Sequence, residues 1–404
     1  MANALIFSPG FDGHRQVYAF VMASVLKELG FNIYIAGNTK QIITNSFYID
    51  KLKDSPGITI LDTSNYAEGG LNITPEEFIE LQNVCKTDLT VFAFADHHIS
   101  LFVSQIFKKQ NRFRGRTVGI FMQPFHYYQK TGLYDKLRYL KHLPSRWRKD
   151  DQLFYNFFLK LFSLFDVALC IDEKFVVHHR KFVWLPDVFQ QYAELIVKDE
   201  KSEQRIWIEK LREFKEKNKD KFCFFYFGTA QFRRGYDILL NLCEEKGGCF
   251  IHCGLRDNNV QYSYDTNQLR SSLGKDGRLF ETDQYIADPT TIEYFFKSVS
   301  HLVLPYRNYC GSSGVMLQAL DHGIPVLAPD IGIIGHRIKK YGMGIAYDDK
   351  KVSSLNSQFD YFKELDPKTL ENSIKNYMNY QTTEQLKVVL INAFTGTEKP
   401  VRIP

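Results

Sequence analysis

The sequence of 404 residues lacks the patterns that mark a disulfide framework, a zinc site or a membrane span. Its seven cysteines include no C-x-x-C pair, and most stand in apolar runs, where a thiol behaves as a small buried hydrophobe. No apolar stretch reaches the roughly 18 residues that a membrane-spanning helix needs. We therefore expect no disulfides, no metal and no membrane-spanning helix.

The sequence also has no large excess of charge of one sign. Lys and Arg total 51 against 46 Asp and Glu, a net charge of +5. This excess is too small for a dedicated nucleic-acid binder, so we predict no nucleic-acid partner, although it favours anionic small ligands or an anionic membrane surface. The first residues run into a strand-like segment without a basic region or cleavage signal, which leads us to expect a cytoplasmic protein.

The length suits two domains of about 150–200 residues each. In both halves short apolar strands alternate with amphipathic helices, which predicts parallel sheets covered on both faces. The Lys- and Glu-rich stretch 197–220 is interpreted as a linker or a solvated helix. We predict an α/β fold of two doubly wound Rossmann-like domains, with an N-terminal domain over 1–195, a C-terminal domain over 196–375, and a tail over 376–404 that crosses back to the first domain.

The predicted strands all end in loops that are candidates for ligand binding, because doubly wound sheets bind ligands outside the carboxyl ends of their strands. These strands are 4–8, 31–36, 58–61, 89–95, 117–122 and 167–171 in the first half, and 222–227, 250–253, 278–281, 301–305 and 325–328 in the second.

The loop after the strand 301–305 is the most informative. It contains Gly311, Ser312, Ser313 and Gly314 and leads into a helix. Small residues let a phosphate approach the free N–H groups of a helix start, whose dipole favours negative charge, and the two hydroxyls add donors. A Gly/Ser helix cap without any ligand is the alternative.

The loop after the strand 222–227 carries Gly228 and two basic residues, Arg233 and Arg234, before Gly235 opens a helix. A planar guanidinium can hold phosphate oxygens through two parallel hydrogen bonds. The alternative is a solvated arginine pair at a helix start.

These two segments carry a resemblance to a known family. The run 301–328 resembles the donor site of glycosyltransferase family 4 and related GT-B enzymes, with its strand, G-S-S-G turn, helix and H-G-I-P-V-L-A ending. The run 227–240 resembles the family's strand and glycine loop, in which the residue at Arg234 is usually a lysine that contacts the donor diphosphate. The resemblance implies two domains facing a central cleft, a nucleoside diphosphate sugar as donor, and a nucleobase that meets backbone groups at Tyr285 and Ile286.

The sequence departs from the family at three positions. The family's two carboxylates fall on Cys310 and Gln318, of which only Gln318 can still bond a ribose hydroxyl, and Thr229 stands where many relatives have arginine. These changes leave open a non-catalytic protein that binds a nucleotide or glycan, and a nucleotide-sugar epimerase.

The first half offers weaker candidates. Gly10, Gly13 and His14 follow the first strand, where the resemblance implies a loop that faces the donor phosphates and the acceptor; a simple turn is the alternative.

Two neighbouring strands end in polar residues. Asp96 and His97 follow the strand 89–95, and His126 follows the strand 117–122. We select these three as candidate catalytic residues, with capping of a strand end as the alternative role.

The segment 128–150 interleaves seven Lys or Arg residues with aromatic and apolar ones. Such a helix can lie on an anionic bilayer, which suits an enzyme that acts on lipid-linked acceptors; a solvated face over a small core contact is the alternative.

If the resemblance holds, the protein moves a sugar, with retention of configuration, to a hydroxyl of a glycan or lipid-linked acceptor in bacterial surface polysaccharide synthesis, at the inner face of the membrane. Negative charge then develops on the leaving diphosphate. The helix start at 311–314 and Arg234 would stabilise it, so we expect no metal or other cofactor besides the nucleotide sugar.

Overall fold

Both halves of the chain consist of parallel strands that alternate with helices, so the predicted α/β fold class is confirmed. The computed structural model describes residues 1–8, 10–11, 14–39, 47–64, 73–98, 101, 113–122, 165–179, 181–197, 202–256, 264–349 and 352–397. It divides into two compact units, of which the first comprises Met1–Ala193 and Gln381–Pro404 and the second Glu194–Tyr380.

The first unit contains a seven-stranded parallel sheet in the order β3-β2-β1-β4-β5-β6-β7. Its central strands are mostly apolar and buried because helices cover both faces of such a sheet. The strands are β1 Asn3–Phe7, β2 Asn32–Gly37, β3 Ile58–Asp62, β4 Leu89–Phe92, β5 Arg116–Phe121, β6 Val167–Cys170 and β7 Phe182–Trp184. The helices along this part of the chain are α1 His14–Glu28, α2 Phe47–Lys53, α3 Pro75–Cys85, α4 Glu173–His178 and α5 Phe189–Val197.

Two details of this sheet differ from the sequence-based expectation. The predicted strand 89–95 stops at Phe92, since Ala95–His97 turn into a single 3₁₀ turn. The edge strand β7 was not predicted, because three residues are too few to show a hydrophobic alternation.

The second unit has two three-stranded parallel sheets, β10-β9-β8 and β11-β12-β13, with β11 in contact with β8. Along the chain, β9 and β10 therefore follow on one side of β8, and β11, β12 and β13 then follow on its other side. The strands are β8 Cys223–Phe227, β9 Cys249–Cys253, β10 Leu279–Glu281, β11 Leu302–Val303, β12 Val326–Pro329 and β13 Gly344–Tyr347. The helices are α6 Ile206–Lys217, α7 Tyr236–Glu245, α8 Tyr264–Lys275, α9 Pro289–Lys297, α10 Gly314–Asp321, α11 Gly332–Tyr341, α12 Val352–Phe362 and α13 Glu371–Met378.

Within the Lys- and Glu-rich stretch, Ile206–Lys217 form α6, which packs on the core of the second unit. Leu211 is fully buried in the core that contains Phe225, and Trp207 and Phe214 pack against the same core. Their spacing of four and three residues places them on one helix face, while the charged residues occupy the other.

The C-terminal helix α14, Thr383–Thr395, belongs to the first unit. The Nε of Arg116 donates to the carbonyl of Ala393 at 2.9 Å, and the Lys387 ammonium pairs with Glu28 of α1 at 2.5 Å. The backbone N–H of Asp187 donates to the side-chain oxygen of Gln381 at 2.9 Å. These bonds attach the end of the chain to the sheet and helices of the first unit.

Gly235 makes the turn between the loop after β8 and helix α7. Its φ is +70°, and a Cβ at this position would lie 2.1 Å from the carbonyl oxygen of Pro305. We expect Gly235→Ala to lower the free energy of unfolding by at least about 3 kcal/mol, since the left-handed conformation alone costs about 1–2 kcal/mol and the clash adds to it. Urea unfolding of the purified chain measures the change.

The matched control is Gly277→Ala, at φ +66° with nothing within 4 Å of the added Cβ. This variant keeps only the conformational cost of about 1–2 kcal/mol. Equal losses in the two variants would show that the close approach to Pro305 has no energetic weight.

Candidate functional site

The carboxyl ends of β8 and β11 lie side by side in the second unit, at the point where the strand order reverses. Crevices at such switch points are the usual ligand sites of doubly wound sheets. A small pocket opens to solvent here. Among the described residues, the lining consists of Arg234 together with Phe225, Tyr226, Phe227, Val303, Leu304, Pro305, Tyr306 and Val315.

Arg234 holds a positive charge at the end of β8. Its Nη1 donates to the carbonyl of Phe227 at 3.4 Å, and a Cβ added to Gly228 would lie 2.5 Å from the same nitrogen. Burial lowers the pKa of Arg234, but the phenol groups of Tyr306 and Tyr226 raise it on balance. The guanidinium is therefore charged, and the glycine leaves the room that it occupies.

Arg307 joins the loop after β8 to the loop after β11. Its two terminal nitrogens donate to the carboxylate of Asp237 at 2.7 and 2.6 Å, and its guanidinium carbon lies 3.8 Å from the ring centre of Phe232. Its backbone N–H donates to the carbonyl of Arg233 at 2.9 Å. The Arg233 side chain is exposed and its guanidinium carbon lies 4.7 Å from the ring centre of Tyr309. Both loops are thus held in one arrangement before any ligand arrives.

The turn into α10 is held by side chains on both of its serines. Ser313 caps the helix: its hydroxyl oxygen accepts from the N–H of Met316 at 3.2 Å and shares a hydrogen bond of 3.0 Å with the Tyr306 hydroxyl. The Ser312 oxygen accepts from Arg337 at 2.7 Å. The predicted helix cap is therefore present, and because the Ser312 oxygen already accepts, its own proton points away from Arg337.

The backbone of this turn adjoins open space. Gly314 is the first residue of α10, and a Cβ added to it would meet nothing within 4 Å. Gly311 is buried at the start of the turn. Open space thus lies beside the first residue of α10, at the end of the helix where the dipole favours negative charge.

A second arginine, Arg337 on α11, lies behind the same turn and was not selected from the sequence. It is fully buried, and its guanidinium carbon lies 5.8 Å from the ring centre of Tyr377. A signal was available, since Ile333 and Arg337 are four residues apart and Ile333 faces the core. Two guanidinium groups therefore lie near the turn, Arg234 in the lining of the pocket and Arg337 behind Ser312.

Gln318 has a protein partner where the sequence suggested a ribose hydroxyl. It is buried in α10, and its Nε2 donates to the carboxylate of Glu194 at 2.9 Å. Burial and, to a smaller extent, the charge of Glu194 raise the pKa of Tyr285. Glu194 thus brings a carboxylate to two predicted donor-binding positions, and the sequence pattern had no signal for it.

The loop at Tyr285 and Ile286 is organised by Gln204. The side-chain nitrogen of Gln204 donates to the carbonyl of Tyr285 at 2.7 Å, and its oxygen accepts from the N–H groups of Ala287 and Asp288 at 2.9 and 3.0 Å. The side chain of Ile286 is buried in the core. The proposed contact of this loop with a nucleobase stays a prediction.

A buried polar network supports Gly228 from below. The Nε2 of His252 lies 3.1 Å from the carbonyl oxygen of Gly228, and its Nδ1 lies 3.5 Å from the carboxylate of Glu281. Arg270 donates two hydrogen bonds to that carboxylate, and Tyr236 donates a third at 3.1 Å. Burial raises the pKa of Glu281, but the hydrogen bonds from His252 and Arg270 outweigh it and lower the pKa to about 2.

Because of this network, we expect the free energy of unfolding to depend on pH in the acid range. The folded pKa of Glu281 lies below its unfolded value, so its contribution is complete above about pH 4.5 and is lost as the pH falls towards 2. The shift corresponds to about 3 kcal/mol. We expect the free energy of unfolding of Glu281→Gln at pH 7 to be lower than that of the wild type by about 3 kcal/mol. Between pH 4.5 and 2 the free energy of unfolding of this variant should fall less steeply than that of the wild type.

Urea unfolding at a series of pH values tests this expectation, with Asp360→Asn as the control at a surface carboxylate that pairs with Lys246. The Asp360 variant should follow the wild-type profile within about 0.5 kcal/mol because surface pairs contribute little. A Glu281 variant with the wild-type pH profile would contradict the assignment.

The candidates in the first unit are described only in part. Gly10 is buried, and its carbonyl accepts from the Ser8 hydroxyl at 2.7 Å. Asp96 accepts from the N–H of Met122 at 2.6 Å, which links the 3₁₀ turn after β4 to the end of β5. The described residues do not include Gly13, His126, the side chains of His14 and His97, or the segment 128–150. The catalytic roles assigned to Asp96, His97 and His126 stay predictions.

No group of three or more His, Cys, Asp and Glu side chains in the described ranges could hold a metal ion. Within the same ranges no helix has the length and apolar character to cross a membrane.

Solved structures with the same fold were found, whereas no protein-family model and no curated protein matches the sequence. Sucrose-phosphate synthase from Thermosynechococcus elongatus is 12% identical with a TM-score of 0.65, covering 98% of this chain and 99% of its own. HepE from Anabaena, in complex with UDP and glucose, is 11% identical with a TM-score of 0.64, covering 98% and 100%. UDP-GlcNAc 2-epimerase from Neisseria meningitidis, bound to UDP-GlcNAc, is 11% identical with a TM-score of 0.56, covering 98% and 100%. Over nearly its whole length the chain therefore has the GT-B fold, with two Rossmann-like domains, that the sequence resemblance implied.

Proposed function

We propose that the protein is a glycosyltransferase that takes a sugar from a nucleoside diphosphate sugar. The observation that carries the proposal is the site at the switch point of the second unit, where Arg234 lines a pocket beside the start of α10. A guanidinium and a helix N-terminus with open space at Gly314 fit the charge and shape of a diphosphate. The GT-B structure of HepE holds UDP and glucose, which supports the same class of donor here.

In the proposed reaction the anomeric carbon exchanges the diphosphate for an acceptor hydroxyl. Negative charge grows on the diphosphate as its bond to the sugar breaks, so groups fixed beforehand around that charge lower the barrier. Arg234 and the N–H groups at the start of α10 supply the attraction, Ser312 supplies a hydroxyl donor, and Arg337 keeps that hydroxyl oriented. We propose retention of configuration on the family resemblance, with no metal taking part.

The acceptor that we propose is a hydroxyl of a glycan or of a lipid-linked glycan in bacterial surface polysaccharide synthesis. The support is the family resemblance and the basic, aromatic-rich segment 128–150, which suits an anionic membrane surface. A cytoplasmic protein attached to the inner face of the membrane would meet both its nucleotide sugar and such an acceptor.

A nucleotide-sugar epimerase is the second candidate, because the epimerase from Neisseria meningitidis shares the fold and binds UDP-GlcNAc. Both candidates need the diphosphate site. They differ in the fate of the sugar, which an epimerase returns on the nucleotide with an inverted centre and a transferase moves to an acceptor.

A thermal-shift screen against UDP, GDP, CDP and dTDP sugars identifies the donor, since a ligand at 100 times its Kd adds about 2.7 kcal/mol to the folded state. The stabilising donor is then incubated with the protein alone and with a panel of glycan and lipid-linked acceptors. Release of nucleoside diphosphate that requires an acceptor supports the transferase, and a changed sugar on the nucleotide without acceptor supports the epimerase. Binding without either reaction would indicate a non-catalytic partner protein, in line with the missing carboxylates at Cys310 and Gln318.

A further inference from the structure

Two cysteines face each other at the amino ends of β8 and β9. Cys223 and Cys249 pair directly in the parallel register, and their sulfur atoms lie 3.3 Å apart. Neighbouring strands are about 4.8 Å apart, which is within the Cα separations of about 4.4–6.8 Å that disulfides span. A bond between the two sulfurs therefore requires side-chain rotation and little movement of the strands.

The two thiols differ in exposure and acidity. Cys223 is half-buried, whereas Cys249 is buried. The hydrogen bond from Cys249 lowers the pKa of Cys223 to about 7 against the opposing effect of burial, and the charge of Lys215 lowers it further. The Lys215 ammonium also donates to the carbonyl of Ser298, which holds it beside the strand. Cys223 is thus the accessible nucleophile of the pair, and Cys249, whose own pKa is raised, is the second thiol behind it.

We propose that Cys223 and Cys249 form a modification site, a dithiol that hydroperoxides convert into an intramolecular disulfide. The site needs no contribution from the proposed donor site. The sulfurs lie at the amino ends of the strands, while Gly228 and Arg234 follow the carboxyl end of β8.

The chemistry takes place in two balanced steps. The Cys223 thiolate attacks one peroxide oxygen and displaces the other as an alcohol or water, which leaves Cys223 as a sulfenic acid. The sulfur of Cys249 then attacks the Cys223 sulfur, the S–S bond forms, and the hydroxyl leaves as water with the thiol proton. In total two thiols are oxidised and one hydroperoxide is reduced to an alcohol and one water; an external dithiol reverses the change.

Most of the remaining thiols are poor competitors. Burial raises the pKa of Cys85, Cys170, Cys243 and Cys253, and all four are buried. Cys310 is half-buried like Cys223 and is the residue against which selectivity has to be judged. Cys223 differs from Cys310 in lying on a strand, where Cys249 is its partner in the parallel register.

The full-length protein, fully reduced, is treated with an equimolar amount of hydrogen peroxide, quenched with an alkylating agent and analysed by intact mass and peptide mapping. We expect the loss of two hydrogen atoms, a decrease of two in the number of free thiols, and a linked peptide pair containing Cys223 and Cys249. Dithiothreitol should reverse all three. The rate should already rise with pH below the ordinary pKa of a free thiol, because the pKa of Cys223 is lowered.

Three variants make the test specific. Cys223→Ser should abolish the disulfide, and Cys249→Ser should stop the reaction at a Cys223 sulfenic acid that dimedone traps. Cys253→Ala, on the same strand as Cys249, should oxidise like the wild type. A disulfide that includes another cysteine, or dimedone labelling of Cys310 in preference to Cys223, would overturn the proposal. The wild-type peptide map decides the question even if a variant fails to fold.

Discussion

Arg234→Ala is expected to lower kcat/KM for the nucleotide sugar by about 30- to 1,000-fold, a loss of about 2–4 kcal/mol in transition-state stabilisation. The arginine is the charged side chain that lines the pocket at the switch point, and a preorganised cation there acts on the charge that develops on the leaving diphosphate. The kcat/KM of Arg234→Lys should lie between the values of the wild type and of Arg234→Ala, because lysine keeps the charge but cannot form the two parallel hydrogen bonds to phosphate oxygens that the planar guanidinium forms. Steady-state kinetics with the donor found in the thermal-shift screen measure the effect.

The control for this prediction is Arg212→Ala. Arg212 is exposed on α6, where it pairs with Glu209 on the helix surface, and we expect its loss to change kcat/KM by less than about twofold. If Arg234→Ala and Arg212→Ala behave alike, Arg234 has no role in the reaction and the site must be sought elsewhere.

Gly314→Val should weaken binding of the nucleoside diphosphate by at least about tenfold while the chain still folds. The side chain would extend into the open space beside the start of α10, where the added Cβ meets nothing within 4 Å apart from its chain neighbours and the backbone of its own helix. A methyl group in Gly314→Ala occupies less of that space and should have a smaller effect. Isothermal titration with the nucleoside diphosphate measures the Kd of each variant.

This substitution separates the two interpretations of the G-S-S-G turn. If the turn is only a helix cap, a side chain in open space is harmless, and replacing glycine by alanine in a helix stabilises it by about 0.5–1 kcal/mol. Gly274→Ala is the matched control, because Gly274 lies in α8 and its added Cβ would make an ordinary contact of 3.8 Å with Leu279. An unchanged Kd in Gly314→Val would contradict the diphosphate site and support the interpretation of the turn as a helix cap.

The turn itself shows why the sequence supported two interpretations. Ser313 does cap α10, through a bond to the N–H of Met316, so the structural role is real. The helix start also has a guanidinium in the adjoining pocket, open space at Gly314 and a second guanidinium behind Ser312. A cap needs none of these three features, and a diphosphate site uses all of them.

Local periodicity and loop chemistry predicted much of the fold. The apolar runs that became β1, β2, β8 and β9 were recognised because strands buried on both faces are continuously hydrophobic. The glycine and serine loops after β8 and β11 were selected as candidate phosphate sites because their residue types suit a backbone that a phosphate approaches, and that role stays a prediction. The strand β7 was not predicted because three residues are too few to show a periodic pattern. The packing of α6 was not predicted because its many charged residues make the apolar face difficult to recognise in the sequence.

The sequence by itself determined the α/β class and the two-domain GT-B resemblance, and it selected the loops for which we predict a donor site, because these depend on residue type and on spacing along the chain. The tertiary structure alone decided which side chains share that site. Arg307 clamps Asp237 over 70 positions, Gln318 bonds Glu194 over 124 positions, and the buried Arg337 reaches Ser312 over 25 positions. Residues so far apart in the chain come into contact only when the sheet is assembled, so the local sequence pattern cannot predict these contacts.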